Sequence, residues 1–316
     1  MEINWKENWQ EKMSQNYRPM TFRAWLELAT PNTWGASILP VLLGSVLAYG
    51  LKGDFSLLRL ILLLFCAVFM HCAVNALNHL FDFLKDTDNL ENCLDPHDAP
   101  MVYHNLHPRT VAALAVFYLF MALALSLYLL LQVGWPLLFM GVFGAAVVVC
   151  YAGGPLPITH TPFGELAAGF TMGGVITFAA YYSMTASLDW VVLLYALPPI
   201  ITIGCILLLN NVCDIEKDIE AGRRTMPILI GRKKATLLLK GGYVVAAVII
   251  EAILIISFPK GCWVFPIVAL LSLKKFKAVM TMEFRAETRM AGMKAVLPLT
   301  PLLNFGYVLS VFVASF

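Results

Sequence analysis

Charge is scarce in this chain. Only 13% of its 316 residues are Asp, Glu, Lys or Arg, and the formal net charge is +2, which excludes both an ordinary soluble surface and a basic footprint for nucleic acid. Cysteine is equally uninformative. Cys66, Cys72, Cys93, Cys150, Cys205, Cys213 and Cys262 contain no C-x-x-C pair and no regular spacing, so they support neither a disulfide framework nor a zinc site. The first residues lack the basic-then-apolar order of a cleaved signal. What the chain has is apolar length: 59% hydrophobic residues and a mean hydropathy of +0.76, the composition of an integral membrane protein.

Apolar stretches of spanning length fall at 33–51, 57–77, 110–131, 134–151, 164–184, 189–209, 236–257, 261–280 and 293–315, although Pro266 interrupts the eighth. The expected fold is all-α, with nine transmembrane helices in one domain, 25–316. Residues 1–24 are polar and set Trp5, Trp9 and Met13 on one helical face, which predicts a cytoplasmic or interfacial segment lying on lipid. Basic residues give the orientation. If nine helices cross, 18 of the 22 Lys and Arg share the side of the N-terminus, against Lys52, Arg59 and Lys260 opposite and Lys240 near a helix start. That side is the cytoplasm, and a multi-pass protein of the cell (plasma) membrane is expected.

Two polar stripes interrupt this apolar background. Asn78, Asp82 and Asp86 stand at four-residue steps, and Asn210, Asp214 and Asp218 repeat the pattern 132 positions later. In a helix each step of four turns roughly 40°, so each set lines one narrow stripe. Both stripes close even-numbered helices at the cytoplasmic face, which predicts a parallel internal repeat. Carboxylate and amide oxygens suit Mg²⁺, which is commonly held by one or two carboxylates together with substrate phosphates. Two facing sets can place two or more ions around a diphosphate, active near the cytoplasmic face. A single such cluster reads equally as a helix cap; two of identical spacing do not, because ionisable groups near lipid are costly. A cation-coupled transporter is the alternative from another class: it predicts electrogenic flux in sealed vesicles, where an enzyme predicts product in detergent.

Asn78-His79-Leu80-Phe81-Asp82-Phe83-Leu84-Lys85-Asp86-Thr87-Asp88 resembles the first metal motif of the UbiA superfamily of intramembrane prenyltransferases, and Asn210-Asn211-Val212-Cys213-Asp214-Ile215-Glu216-Lys217-Asp218 resembles the second. Tyr151-Ala152-Gly153-Gly154-Pro155-Leu156-Pro157 with Gly164-Glu165, and Ala221-Gly222-Arg223-Arg224-Thr225, are similar to the 1,4-dihydroxy-2-naphthoate polyprenyltransferase branch. The resemblance runs from about Trp25 to the C-terminus and implies a nine-helix UbiA-type bundle. It implies Mg²⁺-dependent transfer of a polyprenyl group from polyprenyl diphosphate to an aromatic acceptor within the membrane lipid. In that branch the acceptor's carboxylate leaves as CO₂ and demethylmenaquinone forms; another aromatic acceptor of the superfamily is the alternative.

Carried onto this chain, the resemblance makes Asn78, Asp82, Asn210, Asp214 and Asp218 metal and diphosphate ligands. For the third acid of the first motif, Asp86 keeps the four-residue step while Asp88 matches the branch's spacing, and both are candidates. Lys85 within the first motif, and Arg223 and Arg224 just after the second, are candidates for phosphate; the arginine pair offers one such contact without saying which. Tyr151 is a candidate for the aromatic pocket. Glu165 reads as a helix-capping carboxylate or as part of the acceptor site, with capping the first reading. Three departures from the family pattern bear on the acceptor: His79 replaces a frequent Asp, Thr30-Pro31-Asn32-Thr33 replaces Arg-Pro-x-Thr, and Asn89 to Leu106 lacks basic residues but holds Asp95, His97, Asp98 and His104. His97, His104 and His107 have no convincing partner ligands for zinc.

Overall fold

A computed structural model describes residues 12, 13, 15–89, 99–154 and 156–316. Trp5, Trp9, Cys93, Asp95, His97, Asp98 and Pro155 lie outside the described residues. Among those described there is no β-strand. The principal helices are α1 (Phe22–Ala29), α2 (Gly35–Lys52), α3 (Leu57–Leu84), α4 (Pro108–Val133), α5 (Trp135–Ala152), α6 (164–185), α7 (Leu197–Cys213), α8 (Arg232–Ser257), α9 (Val264–Thr281) and α10 (Arg289–Ala314).

Among the described residues six stretches are long and apolar enough to cross a membrane: Gly35–Lys52, Leu57–Leu84, Pro108–Val133, Trp135–Ala152, Arg232–Ser257 and Ala286–Ala314. The other three expected spans are helical but differ in kind. α7 has 17 residues, α9 carries Lys274, Lys275 and Lys277, and α6 contains the π-helical segment Gly169–Val175. Apolar side chains such as Phe120, Leu131, Phe139, Ile256 and Leu271 stay exposed on the outer surface, where lipid rather than water is the natural solvent.

α3 packs along α4 and α5, and α7 packs along α6 and α8. α2 joins these groups by touching α3, α6 and α10. Its union with α3 is polar: His71 Nε2 meets Thr33 Oγ1 at 3.1 Å, and its Nδ1 meets Ser37 Oγ at 2.8 Å. Thr33 already donates to the Thr30 carbonyl, so Nε2 carries the proton and Nδ1 accepts from Ser37. The buried imidazole is satisfied on both sides, which is what burial of a polar ring in this medium requires.

α6 and α7 approach through glycine. A Cβ at Gly169 or Gly173 would collide with the backbone of Ile200, and one at Gly204 would lie 3.2 Å from the Glu165 carbonyl oxygen. Small residues permit such close helix contact in lipid. Gly173→Ala is therefore expected to cost roughly 1–3 kcal/mol, seen as a lower midpoint of thermal unfolding in detergent; an unchanged midpoint would remove the close-approach argument.

The residue expected to divide an interfacial segment from the domain falls inside α1. Thr21 Oγ1 caps this helix by accepting from Ala24 N at 3.2 Å, and Thr30 ends it in the left-handed conformation at φ +49°. Leu28 packs with Leu80, Leu84, Met101, Leu106 and Val111, so α1 braces the end of α3 where the first motif lies. Upstream, Arg18 N donates to Asn105 O at 2.9 Å and the Tyr17 ring meets the His107 ring edge-on. His107 also caps α4, and His104 pairs with Glu27 at 2.6 Å.

Candidate active site

Both acidic motifs sit at the C-terminal ends of their helices, and the chain beyond each helix brings them together. α7 ends at Cys213, yet Asp214 N donates to Asn210 O at 2.9 Å and Asp218 N to Asp214 O at 2.8 Å. The four-residue spacing thus survives into the short helix Ile215–Glu220. Gly222, at φ +69°, then turns the chain so that Arg223 N donates back to Asp218 O at 2.8 Å. That turn delivers the Arg223 guanidinium to the junction of the motifs. It donates to Asp82 Oδ1 on α3 and, at 3.4 Å, to Asp218 Oδ1. Arg224 is exposed, with its backbone N donating to the His160 carbonyl at 3.0 Å. The arginine that sequence left unassigned at this junction is therefore Arg223.

The first motif departs from its projected stripe. α3 stops at Leu84, and Asp86 adopts the left-handed conformation, φ +56°. Its carboxylate, 54% exposed, pairs with Lys12 at 2.5 Å, away from the junction. Asp88 takes the inward place: its N donates to Asp82 O at 3.2 Å, and its carboxylate, 8% exposed, pairs with Lys217 at 2.8 Å. A helical step predicts direction only while the helix lasts; α3 ends before Asp86, and it is Asp88 whose backbone returns to Asp82. Asn78 Nδ2 donates to Asp82 Oδ2 at 3.3 Å. Lys85 donates to the Ala152 carbonyl at 3.0 Å, which seats it beside the end of α5. There Tyr151 stands in the electrostatic field of Glu165, Arg223 and Asp82.

Several members had no individual signal in sequence. Lys217, inside the second motif, and Arg289 were given no role from sequence, yet each engages a motif acid, Arg289 lying 3.1 Å from Asp214. Asn211 donates to Glu165 Oε1 at 2.9 Å, so the glutamate, in the first turn of α6, is also held across the α6–α7 contact. His160, in the α5–α6 connection, is held down to about 4 by burial and by the nearby Lys85 and Arg223. Burial likewise lowers Lys85, with Arg223 adding to the effect and Asp82 opposing it. Burial pushes Asp218 up to about 6 despite Arg223, while burial of Arg223 is outweighed by Asp82, Asp218, Asp88 and Asp214, which hold it above its ordinary value.

The inward-facing donors Asn78, Asp82, Asp88, Asn210, Asp214 and Asp218 offer only oxygen to a cation, a hard set that suits Mg²⁺. Among the described residues no three His, Cys, Asp or Glu side chains form a ready metal cluster. The acids are instead engaged by Arg223, Lys217 and Arg289, with which a cation must compete. Asn210 Oδ1 is buried and accepts no hydrogen bond among the described residues. An orphaned amide oxygen in this acidic setting fits a cation ligand.

An apolar cavity of about 150 Å³ lies between α2, α3, α4, α5 and α6, lined by residues including Val41, Leu63, Met140, Val148, Met172 and Ile176. His71, on its wall, is 11 residues before Asp82, or about 16 Å along α3.

Residues 37–297 match the UbiA prenyltransferase family. The chain is 36% identical over 240 residues, covering 76% of each chain, to the 1,4-dihydroxy-2-naphthoate octaprenyltransferase of Bacillus subtilis (strain 168). It is 34% identical to UbiA prenyltransferase domain-containing protein 1 of Homo sapiens over 64% of its own length, and spans 59% of that relative. In fold it is similar to a UbiA homolog from Archaeoglobus fulgidus bound to GPP and Mg²⁺, with a TM-score of 0.64 at 16% identity, covering 90% of this chain and 99% of that one.

Proposed function

The chain belongs to the UbiA prenyltransferase family, and on that premise we propose that it moves a polyprenyl group from its diphosphate onto 1,4-dihydroxy-2-naphthoate, releasing CO₂ and diphosphate to give demethylmenaquinol, the reduced form of demethylmenaquinone. The observation that carries this reading is the Arg223 bridge between Asp82 and Asp218, which joins two motifs far apart in sequence into one acidic and basic cluster. Likeness to the Bacillus subtilis naphthoate enzyme supports the acceptor. We assign α2 to α10 as nine spans of a parallel repeat in the plasma membrane, with the motif ends of α3 and α7 in the cytoplasm; the basic loops on that side support this orientation.

Asn78, Asp82, Asp88, Asn210, Asp214 and Asp218 would hold two or more Mg²⁺ ions, which when bound neutralise the diphosphate as it takes up charge on leaving. Arg223 and Lys85 donate to phosphate oxygens. The apolar cavity accepts the isoprenoid tail, and the packed helices keep water from the allylic cation left when the carbon–oxygen bond breaks. Attack by the ring carbon follows.

Purified protein given Mg²⁺, a polyprenyl diphosphate and a panel of ring acceptors is expected to yield the prenylated, decarboxylated naphthalenediol by mass spectrometry. Product from a benzoate or tetrapyrrole alone reassigns the acceptor; no product from any ring overturns the reading. Within the first motif, Asp88→Asn is expected to lower kcat/KM about 10²-fold, whereas Asp86→Asn stays within about threefold, because the Asp86 carboxylate is half exposed and Lys12 keeps its bond to the Phe83 carbonyl. The reverse order would restore Asp86 as the third acid.

A further inference from the structure

The acidic and basic cluster describes the donor end of the reaction and leaves the acceptor end unspecified. Beyond Tyr151 lies one more carboxylate, set apart by its surroundings. Glu165 is 4% exposed. Its Oε1 accepts from the neutral Asn211 amide, and its Oε2 is buried with no hydrogen-bond partner among the described residues. The inward-facing motif acids Asp82, Asp88, Asp214 and Asp218 are each engaged by an arginine or lysine; among the described residues none is paired with Glu165. A carboxylate oxygen removed from water without a donor costs free energy that the fold does not recover. The missing partner is a hydrogen-bond donor. Because Asn211 adjoins Asn210 of the second motif, and Tyr151 stands in the field of Glu165 and of Asp82 and Arg223 alike, Glu165 borders the donor site on its α6–α7 side.

We propose that Glu165 Oε2 receives the phenolic hydroxyl of the aromatic acceptor and serves as base and then acid in the transfer. The assignment rests on the prenyl-transfer reading above. As the ring carbon that bears the carboxylate bonds to C1 of the prenyl group, the C1–O bond breaks and its electron pair leaves with the diphosphate. The phenolic proton passes to Glu165, and the ring oxygen becomes a carbonyl. When the carboxylate on that same carbon departs as CO₂, its electron pair re-enters the ring and Glu165 returns the proton to the oxygen. No proton is consumed and the glutamate is regenerated. Asn211 fixes the carboxylate so that Oε2 is the atom presented to the ring.

The test compares wild type, Glu165→Gln and Glu165→Asp on the free dihydroxynaphthoate and on each of its mono-O-methyl ethers. Glu165→Gln is expected to lower kcat/KM for the free acceptor about 10²-fold, with binding of the prenyl diphosphate and Mg²⁺ dependence unchanged. The wild-type preference for hydroxyl over methoxy at one ring position should collapse in the same variant, and Glu165→Asp should restore part of it. A purely structural glutamate would lower both acceptors alike and leave that ratio intact. An unchanged ratio, or parallel loss of donor binding, overturns the assignment while product from wild type keeps the transferase reading; no product from wild type on any hydroxylated ring overturns both.

Discussion

Asp82→Asn is expected to lower kcat/KM for prenyl transfer about 10³-fold while leaving the protein folded. The substitution keeps size and shape and removes only charge. Arg223 retains Asp218, and Asn78 can still donate to the remaining amide oxygen, so the helix ends stay joined. What is lost is the anionic oxygen that faces the second motif most directly, worth about 4 kcal/mol of transition-state stabilisation at that fold-change. The readout is product formation across a Mg²⁺ titration, in which saturating metal fails to restore the maximal rate. Activity within tenfold of wild type, with the same metal dependence, would remove Asp82 from the proposed site.

Arg223→Ala should make stability depend more strongly on metal. Without Mg²⁺ it leaves the Asp82 and Asp218 carboxylates buried without their shared base, since the side chains of Arg223, Asp82 and Asp218 are 13%, 13% and 2% exposed. Removing one member of such a buried set costs about 3–5 kcal/mol, or roughly 10 °C in the unfolding midpoint. Adding Mg²⁺ should raise the midpoint of the variant more than that of wild type, because the cation no longer competes with the guanidinium. Prenyl transfer stays low even with metal present, since the phosphate donor is gone. Arg223→Lys keeps charge but not the fork that reaches both acids, and should fall between the two. Equal metal-induced shifts in wild type and Arg223→Ala would show that cation and arginine do not share these carboxylates.

The membrane character and the two motifs were legible because each is written in composition and spacing: long apolar runs, and acids placed where lipid tolerates them poorly. The third acid of the first motif was not. Choosing Asp88 over Asp86 requires knowing that α3 ends at Leu84, and a helix boundary shifts by a residue or two for reasons of packing. Choosing Arg223 over Arg224 requires the turn at Gly222, which alone decides which guanidinium faces inward. Arg289 is 75 residues from Asp214 in sequence and carries no local mark, and the bond from Asn211 to Glu165 spans 46 residues.

By itself the sequence determined the solvent this protein needs, its helical class and the chemical type of its cluster, since apolar length and oxygen-bearing residues at fixed steps are properties of the chain alone. Tertiary structure decided which members of that inventory face one another. The acid that turns inward, the base that bridges both motifs and the carboxylate left with an unused oxygen all depend on where helices stop and how closely they approach. Those are outcomes of packing between segments more than 40 residues apart, and no local pattern encodes them.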